Sequence, residues 1–199
     1  EPFDLSKITQ SILKACQGLP NSEQLAQQIA ADTHVILYDG ITTEELDEAT
    51  INAAVQNVKD DPVYDKIAVR LMLKTIYRRI DSRINGKIDT KGVYKNSFIK
   101  HITDKAQGGL LSSKMWSKFD LGVLGGALQM ERDELLTYPG LSTLLNRYSL
   151  KDTNQKAIEA PQYFWMRVAM GLSYNESNPT EAAIGFYDAM STLLYVAGG

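Results

Sequence analysis

Cysteine, histidine and long apolar runs are scarce in this chain, and each scarcity excludes a class of protein. Cys16 is the single cysteine among 199 residues, so an internal disulfide or a redox-active cysteine pair within the chain is excluded. The two histidines, His34 and His101, have no cysteine or carboxylate at metal-ligand spacing, and we predict that both are surface or capping residues. No apolar run approaches the ~20 residues that span a bilayer. A protein of the reducing cytoplasm is expected.

The charge balance argues against a nucleic-acid partner. The formal net charge is -3 and the isoelectric point is near 5.4, whereas nucleic-acid binding depends mainly on clustered cations. Apolar residues make up 44% of the chain and charged residues 23%, which is typical of a folded globular protein. We therefore expect neither a nucleic acid nor a membrane as partner.

Helical periodicity dominates residues 1–80. Apolar residues recur at spacings of three and four from Leu5 to Leu19, and Thr42 with Glu45 forms a capping-box pattern before a third helix. A second helix is predicted from Asn21 or Ser22 to the region of Gly40. The pair Asp61-Pro62 predicts the start of a fourth helix. Short connections between four helices predict a compact bundle.

The periodicity is lost over residues 81–96, which are rich in glycine, asparagine and charge, and we predict a linker or surface loop there. Residues 97–199 are predicted to be helical again. The polar stretch KDTNQK (151–156) predicts a turn between two short strands. Pro161 and Asn178-Pro179 predict two further helix starts. The predicted fold class is mostly α, in two parts, with at most a short β-hairpin.

Six stretches resemble one known family. EPFDLSKI, YDGITTEELDEATINAAV and DPVYDKIAVRLMLKTIYRRI resemble the ATP-cone, a nucleotide-sensing module of many ribonucleotide reductase large subunits. ERDELLTYPGLSTLLNRYSL, IEAPQYFWMRVAMGL and FYDAMSTLLYVAGG resemble the helical region that joins this cone to the catalytic barrel. The resemblance implies a cone over 1–80 and a helical domain over 97–199 that leads into the barrel.

The combination resembles an aerobic, class I large subunit, with a cobalamin-dependent class II relative as the alternative. By this resemblance the chain is truncated at both ends: it lacks the cone's first β-hairpin, whose cations close over the phosphates, and it lacks the barrel. Reduction in this family uses three thiols carried by the barrel, so Cys16 alone implies no catalysis by this piece. We expect Cys16, on the apolar stripe of the first helix, to be buried and inert.

The resemblance implies ATP or dATP as an allosteric effector, with Mg²⁺ as a companion ion and no redox cofactor. The positions that match the effector site of the family are Glu1, Phe3, Asp4, Lys7, Ile8, Leu37, Thr43, Leu46, Asp47 and Arg78.

Physical chemistry supports some of these roles. Lys7 follows Asp4 by one helical turn, where the helix dipole favours anions, and Arg78 can make forked contacts with phosphate oxygens. Asp47 and Thr75 stand where effector-discriminating members carry histidines, and a carboxylate repels a triphosphate unless a metal bridges them. The alternative interpretation is that the apolar positions are bundle core and that Lys7 and Arg78 are solvated charges.

The expected function is part of a ribonucleoside-diphosphate reductase, an oxidoreductase that makes deoxyribonucleotides for DNA replication. The implied partners are the barrel, other α subunits in an oligomer, and the radical-generating β subunit. The rival hypothesis is an assembly module whose degenerate cone does not bind nucleotide. A repressor built on an ATP-cone would need a four-cysteine zinc ribbon, which the cysteine count excludes.

Two further stretches carry predictions of their own. Arg132 and Asp133 match a recurring family pair, and we predict a structural salt bridge for them. Tyr163, Phe164 and Trp165 are consecutive, so at least one must leave the core. Core packing is favoured for these aromatics over an interface with the barrel or a second subunit.

Overall fold

The computed structural model describes the backbone over most of the chain and the side chains from Ile8 onward. The described residues are 5–36, 38, 40–86, 89–113 and 117–195. The chain divides into two compact units, the first comprising Glu1–Thr75 with Thr137–Pro139 and the second comprising Ile76–Leu136 with Gly140–Gly199. Each unit is described by itself.

The first unit is built from helices that pack their apolar stripes together. They are α1 (Leu5–Cys16), α2 (Ser22–Val35), α3 (Thr43–Asn57) and the greater part of α4 (Val63–Ile80). Ile12 of α1, Ile29 of α2, Ala54 of α3 and Ile67 of α4 are fully buried and belong to one hydrophobic core. The periodicity of the sequence predicts the apolar stripe of α1 that includes Ile12, and the structure confirms it.

Local capping signals explain where several helices begin and end. The Glu45 backbone N–H donates to Thr42 Oγ1 at 3.2 Å and the Thr42 N–H donates to Glu45 Oε2 at 2.8 Å, which completes the predicted capping box. Helix α2 ends at Val35, earlier than predicted. The Ile36 N–H donates to the Thr33 carbonyl, a three-residue bond that tightens the last turn.

The second unit contains the remaining described helices. They are α5 (Thr90–Gln107), α6 (Leu121–Ala127), α7 (Tyr138–Thr143, which begins in the first unit), α8 (Pro161–Ser173) and α9 (Pro179–Ser191). Helices α8 and α9 pack against each other, and α6 packs against both α5 and α9. The helix starts predicted at Pro161 and Asn178 are confirmed. Helix α8 begins at Pro161, and the Asn178 side chain caps α9 by accepting a hydrogen bond from the Glu181 N–H.

Helix α5 begins inside the stretch for which the sequence predicts a linker. Asp89 starts it by accepting the Gly92 N–H at 3.1 Å. Tyr94, Phe98 and Ile102, which follow at intervals of four, are buried along one face. Glycine and lysine between these apolar positions obscure the periodicity in the sequence.

The predicted fold class, mostly α, is confirmed. The 151–156 turn is closed by a single antiparallel bridge between Lys151 and Ala157, and no strand occurs in the described part of the chain. Among the described residues, each helix is too short or too polar to cross a bilayer.

Candidate functional site

Lys74 joins three helices of the first unit at a polar position. Its ammonium nitrogen donates to Ser11 Oγ of α1 at 2.6 Å and lies 3.7 Å from Asp47 Oδ1 of α3. The Lys74 side chain is 37% exposed and that of Asp47 is 14% exposed. Ser11, Asp47 and Lys74 therefore form a partly solvated cluster, here called the Lys74 cluster, at the edge of an apolar core.

Helical spacing relates the Lys74 cluster to residues predicted to bind a ligand. Thr43 precedes Asp47 by one turn of α3, so the two residues share a side of that helix, and Lys7 precedes Ser11 by four positions in α1. Thr43 is exposed at the first position of α3.

Two apolar residues that were predicted to contact the ligand, Ile8 and Leu46, pack against the core of the first unit. Ile8 is only 8% exposed and belongs to the core of the first unit, and Leu46 is partly buried against the same core. Ile8 is therefore a core residue, as the alternative interpretation predicts. Leu46 is only partly buried, so part of its side chain is accessible.

The structure does not place the remaining predicted ligand-binding residues in the Lys74 cluster. Arg78 is half-buried in the last turn of α4 and falls in the second unit. Glu1, Phe3, Asp4 and Leu37 lie outside the described residues, as does the side chain of Lys7. Their role in binding a ligand stays a prediction.

Sequence reasoning missed Lys74. A signal for it exists, because Lys74 stands one helical turn before Arg78 and so carries a second cation along the same side of α4. The contact with Asp47 is not visible in the sequence, since it joins residues of different helices.

The described residues do not fit a protein-held divalent ion in this part of the chain. No group of three or more histidine, cysteine or acidic side chains that could hold a metal occurs among them. Asp47, the carboxylate at the predicted site, faces an ammonium group instead.

A buried carboxylate organises the second unit. Asp133 is 0% exposed. Its Oδ2 accepts from the hydroxyls of Tyr77 at 2.6 Å and Tyr94 at 2.9 Å, and its Oδ1 accepts from the backbone N–H and side-chain amide of Gln162 at 3.1 and 2.9 Å. Tyr187 extends the network by donating to Gln162 Oε1 at 2.6 Å. Four donors converge on one carboxylate, which fixes the packing of this unit.

Glu159 is a second fully buried acid. Its carboxylate accepts from Arg167 Nη2 at 2.7 Å, from Arg167 Nε at 3.0 Å and from the Leu150 N–H at 2.9 Å. Burial raises the pKa of Glu159, but the contacts from His101, Arg167 and the Leu150 N–H, together with the Arg167 charge, outweigh it, so that the pKa lies below its ordinary value. This acid is ionised and structural.

The structure corrects the predictions for His101 and for the pair Arg132 and Asp133. His101 is buried rather than on the surface, because α5 turns it inward to lie 3.5 Å from Glu159 Oε2. Arg132 pairs with Asp188 at 2.6 Å instead of with Asp133. Successive residues of the 3-10 turn Met130–Leu135 point in different directions, so one faces α9 and the other the core. His34 is exposed, as predicted.

Two families of known proteins match parts of this chain. Residues 1–80 match the family ATP cone domain, and residues 134–199 match the family described as ribonucleotide reductase, all-alpha domain. The chain is thus similar to the ATP cone over residues 1–80 and to the all-alpha domain of ribonucleotide reductase over residues 134–199. The Lys74 cluster thus lies within the cone, and α8 and α9 lie within the all-alpha domain.

Curated relatives are similar to this chain over nearly its whole length. The ribonucleoside-diphosphate reductase subunit alpha of Chlamydia muridarum is 33% identical over 96% of this chain and 18% of its own length. That of Helicobacter pylori is 33% identical over 96% of this chain and 23% of its own length. That of enterobacteria phage T4 is 27% identical. The chain spans about a fifth of the length of such relatives. The predicted resemblance is confirmed.

The single thiol of the cone is buried, as predicted. Cys16 is 0% exposed at the end of α1, and burial raises its pKa to about 11 against an opposing effect of the Arg70 charge. A protonated thiol is a poor nucleophile. Cys16 is therefore part of the cone's core.

The consecutive aromatics of the all-alpha domain divide between core and surface. Tyr163 is 0% exposed and Phe164 is 9% exposed, while Trp165 is half-buried. The Tyr163 hydroxyl donates to the Tyr94 carbonyl. Core packing, the favoured interpretation, describes Tyr163 and Phe164.

The buried Asp133 is expected to make stability depend on pH. Burial raises its pKa from 3.8 to about 6, although the four hydrogen bonds oppose the shift. Between these two values the folded state holds a proton that the unfolded state has released. The contribution of Asp133 to stability is therefore fully present below the unfolded pKa and is lost as pH rises through about 6.

The difference in unfolding free energy between the wild type and Asp133→Asn isolates this effect, because contributions of other acids are common to both proteins. As pH rises from 3.8 to about 6, we expect the wild type to lose up to ~1.4 kcal/mol of unfolding free energy per pH unit relative to Asp133→Asn. Above about pH 6 we expect the difference between the two proteins to be constant. Urea unfolding at a series of pH values measures it. A difference independent of pH would contradict the assignment.

Proposed function

We propose that this chain is a regulatory and connecting part of a ribonucleoside-diphosphate reductase large subunit, and that its cone binds ATP or dATP as an allosteric effector. The observation that carries the proposal is the match of residues 1–80 to the ATP cone domain. The Lys74 cluster supports it, because a partly exposed lysine lies beside Asp47, one turn of α3 from Thr43, which is proposed to meet the phosphates.

The effector is anchored through its phosphates. Lys7 and Arg78 supply the cations, and the first turns of α1 and α3 supply backbone N–H groups for the anion. Leu46, together with Phe3 and Leu37, provides the apolar contacts with the adenine. ATP and dATP differ by one hydroxyl, so a group bonding the ribose 2′-OH must discriminate them. Asp4 and Lys7 are the candidates for that role.

The regulatory output passes to the rest of the enzyme. ATP in the cone permits activity, and dATP drives an inhibited oligomer through contacts of the cone with another α subunit or with the radical-generating β subunit. The all-alpha domain buttresses the catalytic barrel, and the network around Asp133 supports this role because it gives the neighbouring helices one fixed packing. Ribonucleotide reduction in the cytoplasm, for deoxyribonucleotide synthesis and DNA replication, is carried out by the barrel.

Calorimetric titration of the chain with ATP and with dATP tests the proposal. We expect micromolar binding that Lys7→Ala weakens by about tenfold to a hundredfold, as loss of a charge-assisted hydrogen bond predicts. Lys14→Ala is the matched control, because Lys14 is an exposed lysine of the same helix, and its affinity should equal that of the wild type.

The rival function is an assembly module with a degenerate cone. It predicts no heat with millimolar ATP or dATP for the wild type, and that result would overturn the proposal of an effector site. Equal affinities for Lys7→Ala and Lys14→Ala would remove Lys7 from the site while leaving the effector function in place.

A further inference from the structure

Helix α7 begins with a segment that folds with the cone and not with the domain whose sequence it matches. Residues 134–199 match the all-alpha domain, yet Thr137–Pro139 belongs to the first unit together with Glu1–Thr75. Helix α7 starts at Tyr138, and the residues from Gly140 onward belong to the second unit. The three residues Thr137–Pro139 are here called the strap.

Tyr138 packs into the hydrophobic core of the first unit. Its side chain is partly buried against that core, whose other described members lie between Ile8 and Met72. An aromatic ring carries a large apolar area, so even partial burial of Tyr138 contributes to the stability of the cone. The strap is therefore a structural part of the cone, although its sequence lies far beyond the residues that match the cone family.

Asp65 fixes the backbone of the strap. Its Oδ1 accepts a hydrogen bond from the Tyr138 N–H at 3.1 Å, across 73 positions of the chain. Tyr138 is the first residue of α7, and an N–H at that position has no partner within its own helix. Asp65 lies in the first turn of α4, beside the buried Tyr64. One apolar contact and one polar contact thus hold the same residue on the cone.

Helix α7 is too short to be stable by itself. It has six residues and is followed by a π-helical turn of five, whereas isolated helices shorter than ~12–15 residues are marginal in water because helix nucleation is costly. The first turn of α7 therefore depends on the contacts of Tyr138 with the core and with Asp65. A docked and an undocked first turn are two states of this helix, and the docked state requires a folded cone.

We infer that the strap couples the stability of the cone to the first turn of α7, so that a change in the cone reaches residues beyond Pro139 along the backbone of that helix. Such coupling is reciprocal. Loss of the strap makes the cone open more often, and a destabilised cone releases the first turn of α7. The inference goes beyond the effector site and applies equally to a cone that binds no nucleotide, so it stands or falls separately from the proposed function.

Hydrogen exchange of the full chain, followed by mass spectrometry, tests the effect of the strap on the cone. For Tyr138→Ala we expect the amides of α2 and α3 to exchange about tenfold faster than in the wild type or more, as loss of an aromatic side chain from a core predicts. Two controls should exchange as the wild type: Tyr138→Phe, which keeps the ring, and Tyr195→Ala, which removes a tyrosine that is 61% exposed. Unchanged exchange of α2 and α3 in Tyr138→Ala overturns the inference.

The polar contact of the strap provides a second variant. Asp65→Ala removes the acceptor of the Tyr138 N–H, and we expect the same amides to exchange about threefold to tenfold faster, as loss of one hydrogen bond predicts. Asp65→Asn keeps an oxygen that can accept this bond and should exchange more slowly than Asp65→Ala. Equal exchange rates in these two variants would mean that the contact does not hold the strap, and would overturn the inference.

The reverse direction is tested with Ile29→Ala, which removes a fully buried side chain from the cone core. We expect the amides of α7 to exchange about tenfold faster or more, in parallel with those of α3. In a Tyr138→Ala background, Ile29→Ala should change the α7 amides by less than about twofold, because the undocked turn no longer depends on the cone. If circular dichroism shows that Tyr138→Ala is unfolded, Asp65→Ala takes its place. Unchanged α7 amides in Ile29→Ala, or an acceleration that persists without the strap, overturns the inference.

Discussion

Replacing Asp133 by alanine is expected to destabilise the second unit by about 4 kcal/mol or more, because each buried donor left without an acceptor costs ~1–3 kcal/mol. Four donors lose their acceptor together: the hydroxyls of Tyr77 and Tyr94 and the two N–H groups of Gln162. A domain of this size has a total stability of only ~5–15 kcal/mol. The variant is therefore expected to be close to unfolding at 37 °C.

Urea unfolding, followed by the near-ultraviolet circular dichroism of the buried tyrosines, measures this effect. Asp133→Asn should be milder, because the amide keeps the shape of the side chain and an acceptor for Gln162. Asp188→Ala is the control: it removes an acid that is 52% exposed and paired with Arg132, and exposed pairs contribute ~0–1 kcal/mol. Equal stabilities of Asp133→Ala and Asp188→Ala would refute the importance of the network.

Replacing Glu159 by leucine is expected to cost ~3–5 kcal/mol, since removal of one partner leaves the other charge buried without compensation. Glu159 is fully buried and the Arg167 side chain is 17% exposed, with two hydrogen bonds between them. Leucine also leaves the Leu150 N–H without its acceptor. The loss is measured by the same urea unfolding experiment.

The double variant Glu159→Leu/Arg167→Met tests the cause of this loss. Apolar replacement of both members of a buried pair is often neutral, so part of the lost stability should return when the arginine is also removed. If the two substitutions were simply additive, uncompensated burial of the Arg167 charge would not be the cause. A lower stability from the second change would mean that Arg167 contributes mainly through packing against Phe164.

The features predicted correctly from the sequence are those encoded within a few residues. Thr42 and Glu45 are three positions apart and form their capping box, and Pro161 begins α8 as its fixed backbone dihedral favours. The apolar stripe that buries Ile12 and Cys16 is likewise a matter of local spacing. Fold class and most helix starts follow from such signals.

The features missed depend on residues far apart in the chain. Arg132 finds Asp188 across 56 positions, and Tyr77 reaches Asp133 across the same separation. Lys74 and Ser11 are 63 positions apart. Spacing along one helix carries no information about which side chain of another helix will face it. Tertiary packing decides those pairs, so the electrostatics of the candidate site became visible only in the folded chain.

Cys16 can report on transient local unfolding of the cone. As the single sulfhydryl of the chain, it is shielded at the end of α1 and kept protonated, so an alkylating reagent can modify it only during transient local opening. The rate of Cys16 alkylation therefore measures how often α1 opens away from its neighbours, and no engineered cysteine is needed. If an effector stabilises the packing of α1 against α3, the rate at which Cys16 is alkylated should fall. The alkylation rate of this buried thiol would then report how much of the protein has effector bound.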